Sequence, residues 1–157
     1  MRTILRSLLV SLAVLVAPAT SQAATTIAYQ AGSEQQVLML LNQIRRQHGL
    51  GMLALSAPLR TAARGHSADM LQGGYFDHDS LNEGWDARIS RYLRSSLIGE
   101  TIARGGGPTG SPSAMVNQWM HSALHRRVIL TAGFRLVGIG IATGAPGSVM
   151  ATADFAA

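Results

Sequence analysis

The sequence predicts an α+β fold, a small antiparallel sheet flanked by helices. Three observations carry this expectation. Apolar residues recur at helical spacing through the first part of the chain, in segments that glycine closes. Near the end two short apolar runs, rich in β-branched residues, flank Gly144-Ala145-Pro146-Gly147 and read as a hairpin with a long loop. The 157 residues are 47% apolar and only 13% charged, which suits one buried core and excludes a disordered chain.

The elements follow in order. Met1 to Ala23 reads as an export signal: Arg2 and Arg6 precede the apolar stretch Leu8–Ala17, Pro18 breaks it, and Ser21-Gln22-Ala23 offers small residues for cleavage. The stretch is too short to span a bilayer, so no transmembrane anchor is expected after cleavage. Residues 24–36 form a polar lead-in and the start of the first helix, with Ser33 as its N-cap and Gln36 completing a capping box. Val37, Leu38, Leu40, Leu41 and Ile44 make its apolar face, and Gly49 closes it. A second helix starts at Ser56-Ala57-Pro58 and ends at Gly73-Gly74; its stripe is Leu59, Ala62, Ala63, His66 and Met70, whose alanines imply close packing on a neighbour.

Tyr75 to Gly84 is a polar loop, Trp85 to Leu93 a short helix, and Leu97 to Ala103 a strand. Gly105 to Pro112 reads as a flexible loop rather than a phosphate cradle, because no Lys-Ser or Lys-Thr follows the glycines. Helices follow over Ser113 to Ala123, with Trp119 inside, and over His125 to Leu130. The strands Leu136–Ile141 and Val149–Ala153 complete a single domain over 37–157.

Charge and cysteine content narrow the function. All thirteen basic residues are arginine against eight acidic ones, and no dense basic stripe or nucleic-acid module is present, so nucleic acid is not expected as a partner. Arg88, Arg91 and Arg94 share one helical stripe, read as a solvated face rather than a contact for an anionic polymer. With no cysteine, the fold stands on packing alone and any metal must be held by His and carboxylates.

The chain resembles a known family along most of its length. The similarity runs through Leu41-Asn42-Gln43-Ile44-Arg45, His66-Ser67-Ala68-Asp69-Met70, Gly74-Tyr75-Phe76-Asp77-His78 and Gly99-Glu100-Thr101-Ile102-Ala103. It continues through Trp119-Met120-His121-Ser122 with His125-Arg126, then Val137–Ile141 and Ala153-Asp154-Phe155-Ala156. In order and spacing these are similar to the CAP superfamily of cysteine-rich secretory, antigen 5 and pathogenesis-related proteins, in its disulfide-free bacterial branch. The resemblance implies an α-β-α sandwich with a central cleft lined by two His and two acids. The cleft residues carried over are His78, Glu100 and His125; the second acid falls on Ser122, where this chain departs from animal members. It further implies an extracellular or periplasmic protein that takes a ligand, a lipid or an envelope component, in the cleft.

Two imidazoles and a carboxylate suit a divalent metal, with Zn²⁺ the expected ion. His78 and His125 are the expected ligands; Glu100 is either a third ligand or a general base that holds a water. The competing reading of His78 is a residue that satisfies loop backbone groups. His121 and His125 lie four apart as in a metalloprotease helix, but the Glu that motif needs is replaced by Ser122. Ser122 with His125 lacks the strained turn of a nucleophile. His66, on an apolar stripe, reads as a hydrogen-bonded core residue. Two functions stay open: a binding module, which is favoured, and a metal-dependent hydrolase of a peptide or envelope component. An apolar groove near Met115, Val116 and Leu124 would favour lipid capture.

Overall fold

The computed structural model describes residues 26–157, so the expected export signal over 1–23 lies outside the described residues. The elements in chain order are β1 (Ala28–Tyr29), α1 (Ala31–Gln47), β2 (Ala54–Leu55), α2 (Ala57–Gly73), α3 (Trp85–Tyr92), β3 (Ile98–Gly106), α4 (Pro112–His121), α5 (Ala123–Ile129), β4 (Leu136–Gly144) and β5 (Ser148–Ala156). The sheet runs β1-β4-β5-β3 with antiparallel neighbours, and β2 adds to β4 in parallel. Helices cover both faces, giving the α-β-α sandwich.

Strand alternation divides the two faces. Val137, Ile139 and Ile141 of β4, with Val149, Ala151, Ala153 and Phe155 of β5, join Val37 and Leu41 of α1, Met115, Val116 and Trp119 of α4, and Ile129 of α5 in the main core. The alternate residues meet α2 and α3. There the layers touch almost backbone to backbone: a methyl group at Gly138 would overlap Leu59 and Arg60, and one at Gly140 would overlap Ala63 and Arg64. The alanines of α2 and the glycines of β4 thus serve one close approach. Ser67 adds a buried clamp, its hydroxyl donating to Gly140 O and accepting from Thr152 Oγ1, each at 2.9 Å.

Ser56 caps α2 by accepting from Leu59 N, and Gly74 ends it in the left-handed conformation at φ 66°. The capping box expected at Ser33 and Gln36 does not form. The helix already starts at Ala31, because pairing of β1 with β4 fixes the preceding residue and Gln30 N donates to Ile141 O. The lead-in therefore contains a strand. Glu34 lies inside the helix, buried, with both oxygens on Arg64 at 2.7–2.8 Å. The loop expected from Gly105 is shorter than its glycines suggest: β3 continues to Gly106, and a 3₁₀ turn spans Gly107–Gly110.

Arg45 is the unforeseen anchor. It is fully buried at the end of α1 and donates to the carbonyls of Gly51, Ile129, Thr131 and Phe134 at 2.7–3.1 Å. One guanidinium thereby ties α1 to the turn between α5 and β4.

Candidate functional site

The order β1-β4-β5-β3 leaves β3 at the edge of the sheet, and Glu100 sits on it, facing the α2–α3 layer. His78 reaches it from the loop between α2 and α3, and His125 comes from α5. Three elements far apart in sequence thus meet in one cavity of about 400 Å³, lined also by Trp85, Ile98, Ser122, Leu124, Arg127 and Val128. The rings of His78 and His125 stand 5.7 Å apart between centroids.

Glu100 is buried and both its oxygens are engaged. Oε1 meets His78 Nδ1 at 2.7 Å, and Oε2 pairs with the guanidinium of Arg88. Arg88, itself buried on α3, also donates to His78 O at 3.1 Å and to Ser80 Oγ at 3.2 Å, so it holds the loop and the carboxylate together. The expectation that the Arg88 stripe is a solvated face is corrected here: Arg91 and Arg94 are exposed, but Arg88 points inward because Glu100 needs a buried counter-charge.

The hydrogen bond to Glu100 raises the pKa of His78 against the opposing effect of burial. His125 moves the other way, lowered by burial and then by the charge of His78. Beside Glu100, directly opposite it on β5, lies Asp154, fully buried and without a hydrogen-bond partner for either oxygen. Burial, then the charge of Glu100, pushes its carboxyl well above the usual carboxylate range.

Among the described residues, no group of three or more His, Asp and Glu side chains is arranged to share one metal ion. With both its oxygens engaged, Glu100 is not disposed as a third ligand. What the residues fit is a pair of nitrogen donors, His78 and His125. Glu100 then stands behind His78, as carboxylates commonly stand behind metal-binding imidazoles. Neither His78 Nε2 nor either ring nitrogen of His125 has a hydrogen-bond partner among the described residues.

The remaining candidates fall outside this centre. Ser122 lines the cavity, but its hydroxyl accepts from His125 N as the cap of α5 and does not meet the imidazole. His121 is exposed and bonds to Asn117 O. His66 is a buried, hydrogen-bonded residue, its Nε2 2.9 Å from Asp77 O. The groove near Met115, Val116 and Leu124 that would favour lipid capture does not form as one feature. Met115 and Val116 turn into the core, while Leu124, on the next helix, stands 65% exposed at the rim of the cavity. Arg88 and Asp154 are the site residues that pattern reasoning missed. The signal for Asp154 was an acid in the middle of Ala151-Thr152-Ala153-Asp154-Phe155-Ala156, an otherwise nearly apolar strand.

A family model described as the cysteine-rich secretory protein family, CAP, matches residues 38–155. Among curated proteins, the chain is 35% identical over 130 residues to the uncharacterized protein YkwD of Bacillus subtilis, covering 79% of this chain and 49% of that protein. It therefore spans about half the length of that relative. Among solved structures it is similar to an extracellular protein containing an SCP domain from Bacillus anthracis, with 31% identity and a TM-score of 0.70 over 81% of this chain and 41% of that one. An outer surface protein of Borrelia burgdorferi shares the fold at 16% identity and a TM-score of 0.76, covering 84% and 97% of the two chains. Among the described residues, no helix is long and apolar enough to cross a membrane.

Proposed function

The chain belongs to the cysteine-rich secretory protein family, and on that premise we propose that it is an exported binding module whose cleft holds a divalent cation and an envelope-derived ligand. The observation that carries this reading is the pair of imidazoles, His78 and His125, 5.7 Å apart in one cavity with Glu100 behind the first of them. His78, through Nε2, and His125 would hold the ion, with Zn²⁺ the ion best suited to two imidazoles. Bound there, it would supply a fixed positive charge that polarises or anchors an oxygen of the ligand.

The chain's own residues do the positioning. Glu100 orients the ring of His78 through Nδ1. Arg88 neutralises Glu100 and pins the loop that carries His78, so the imidazole is placed before any ligand arrives. Trp85, Ile98, Leu124 and Val128 give the cavity an apolar wall, and Arg127 adds a cationic rim. That combination favours an amphipathic ligand such as a lipid or another envelope component. A hydrolase is less well supported. Glu100, the candidate base, has both oxygens engaged by His78 and Arg88, and Ser122 stands where a second acid would serve.

Calorimetry with Zn²⁺ tests the reading. Binding by the parent protein, weakened strongly in His78→Ala and in His125→Ala but unchanged in His121→Ala, is the expected pattern. Absence of binding above pH 7 would overturn the metal assignment, and metal-dependent turnover of a peptide would restore the hydrolase.

A further inference from the structure

On the other side of Arg88 lies a second cavity, larger than the cleft, at about 520 Å³. This falls within the ~300–1,000 Å³ of small-molecule sites. One wall is a face of α2, Ala62, Gly65, His66 and Asp69, at successive helical spacing; the opposite wall is Arg88, Arg91 and Tyr92 of α3; the loop residues Ser80 to Glu83 close the end.

Gly65 has no packing explanation within the protein. It sits in the interior of α2, where glycine is disfavoured relative to alanine. Yet a Cβ there would meet nothing within 4 Å. Its backbone does not require glycine either, since its φ is not positive. What the missing side chain leaves is an open wall.

The polar groups in the cavity indicate what it would accept. Both cations are already committed, Arg88 to Glu100 and Arg91 to Glu83 at 2.9 Å, so an anion finds no unpaired charge. One donor, the buried Nε of Arg88, has no partner among the described residues, and the uncommitted capacity on the α2 wall is of the accepting kind. Asp69 takes one hydrogen bond, from Tyr75, and His66 Nδ1 has only the hydroxyl of Ser80 at 3.4 Å. Burial lowers the pKa of His66, which keeps that nitrogen an acceptor at neutral pH. Asn82 adds an amide without a partner among the described residues. Beside these stand two apolar surfaces, the ring of Tyr92 and the side chain of Leu81, 40% and 76% exposed. Hydroxyl donors at the edges and apolar C–H faces together describe a pyranose ring.

We propose that the cavity between α2, α3 and the loop Ser80–Glu83 is a saccharide-binding site, distinct from the His78–His125 cleft and independent of any metal there. Asp69 would accept from sugar hydroxyls directly and His66 through the hydroxyl of Ser80, Asn82 would bridge ring substituents, and Leu81 and Tyr92 would cover a ring face. A sugar bearing an ammonium group would add a charge-assisted bond to Asp69.

The test uses the trimers of N-acetylglucosamine and of glucosamine as probes, titrated into ¹⁵N-labelled protein, with inorganic phosphate as the anion comparison. Both trimers are expected to bind with Kd of about 1 mM or tighter, shifting amides of α2, α3 and the loop. Phosphate should not shift them. Gly65→Leu, which fills the open wall and favours the helix, should abolish the shifts while leaving the thermal midpoint at or above that of the parent and any Zn²⁺ response of the cleft intact. Asp69→Asn should weaken the glucosamine trimer about tenfold more than its acetylated counterpart. Absence of shifts at about 10 mM of either trimer, or undiminished binding in Gly65→Leu, would overturn the proposal. Shifts confined to His78, Glu100 and His125 would overturn it too, by placing the sugar in the cleft. Because neither probe needs a metal, failure to bind Zn²⁺ leaves this site standing, and the reverse holds equally.

Discussion

Glu100 and Asp154 stand directly opposite each other on β3 and β5, both buried, yet only one of the two acids has partners. His78 and Arg88 take the oxygens of Glu100. Asp154 is left with burial and a like charge beside it, and both raise its pKa. The two carboxyl groups therefore differ in their partners, set apart by which elements reach them.

The sign of the pH effect follows. In the unfolded chain an Asp releases its proton near pH 3.9, whereas folded Asp154 retains it well above that. Across that window the folded state binds more protons than the unfolded one, so stability falls as pH rises. Asp154→Asn removes the penalty without changing shape. Urea unfolding from pH 4 to 8 should show the variant more stable than the parent by about 1–3 kcal/mol at pH 7, with the gap closing towards pH 4. A variant less stable at pH 7 would mean that the carboxylate is ionised and paired.

The two cleft histidines should titrate apart. His78, held by Glu100, stays protonated above the ordinary histidine value. Its contribution to stability is complete below pH ~6.5 and is lost as pH rises through its raised pKa. His125 does the opposite, favouring the neutral form, so its contribution is lost as pH falls through its depressed pKa. Imidazole resonances followed by NMR should give two separate curves, and Glu100→Gln should bring His78 down towards His125. Coincident curves in the parent would contradict the hydrogen bond as the cause. Any Zn²⁺ binding should weaken on acidification, because His78 must release a proton to solvent before it can hold the ion.

Trp119 is fully buried in the core between α4 and the sheet. Trp119→Ala should cost about 3–5 kcal/mol in urea unfolding. The transition should be cooperative and indifferent to reductant, since the chain has no cysteine. A loss below about 1 kcal/mol would place the ring outside the core.

Arg45→Met keeps the apolar stem and removes the donors. Three carbonyls around the α5–β4 turn, and that of Gly51 in the loop after α1, would lose their partner together, and the expected cost is about 3 kcal/mol. Hydrogen exchange should rise first around Thr131 and Phe134. Unchanged protection there would show that water replaces the guanidinium without loss.

Two glycines give opposite signs for one chemical change. Gly32 lies in α1 with nothing within 4 Å of an added Cβ, so Gly32→Ala should stabilise by about 0.5–1 kcal/mol. Gly138 lies under the backbone of α2, and Gly138→Ala should destabilise by about 1–3 kcal/mol or more, because neither layer has a flexible side chain to yield. Equal effects would mean that α2 can lift off the sheet at little cost.

Much of the fold was legible in the sequence because periodicity reports burial. The stripe Leu59, Ala62, Ala63, His66 and Met70 is the buried face of α2, and Gly49 and Gly74 end their helices where left-handed backbone demanded it. The alternation in Val137–Ile141 marks one strand with a full face towards α1 and α4 and an empty one towards α2. The resemblance carried the site residues His78, Glu100 and His125, and the structure brings all three into one cavity.

What the sequence by itself determined is thus which residues are buried, where helices stop, and which side chains bear chemistry. Tertiary structure alone decided who partners whom. Arg88 looked like one member of an exposed stripe until β3 placed Glu100 beneath it. Ser33 looked like a cap until strand pairing fixed Gln30 instead. The pKa of Asp154 rises because packing buries it, and register then sets it opposite Glu100. The physical reason is the same in each case: local pattern depends on a residue's neighbours along the chain. Charge state and hydrogen bonding depend instead on neighbours brought in by sheet order and layer packing, often from 50 or more residues away, as Asp154 lies from Glu100.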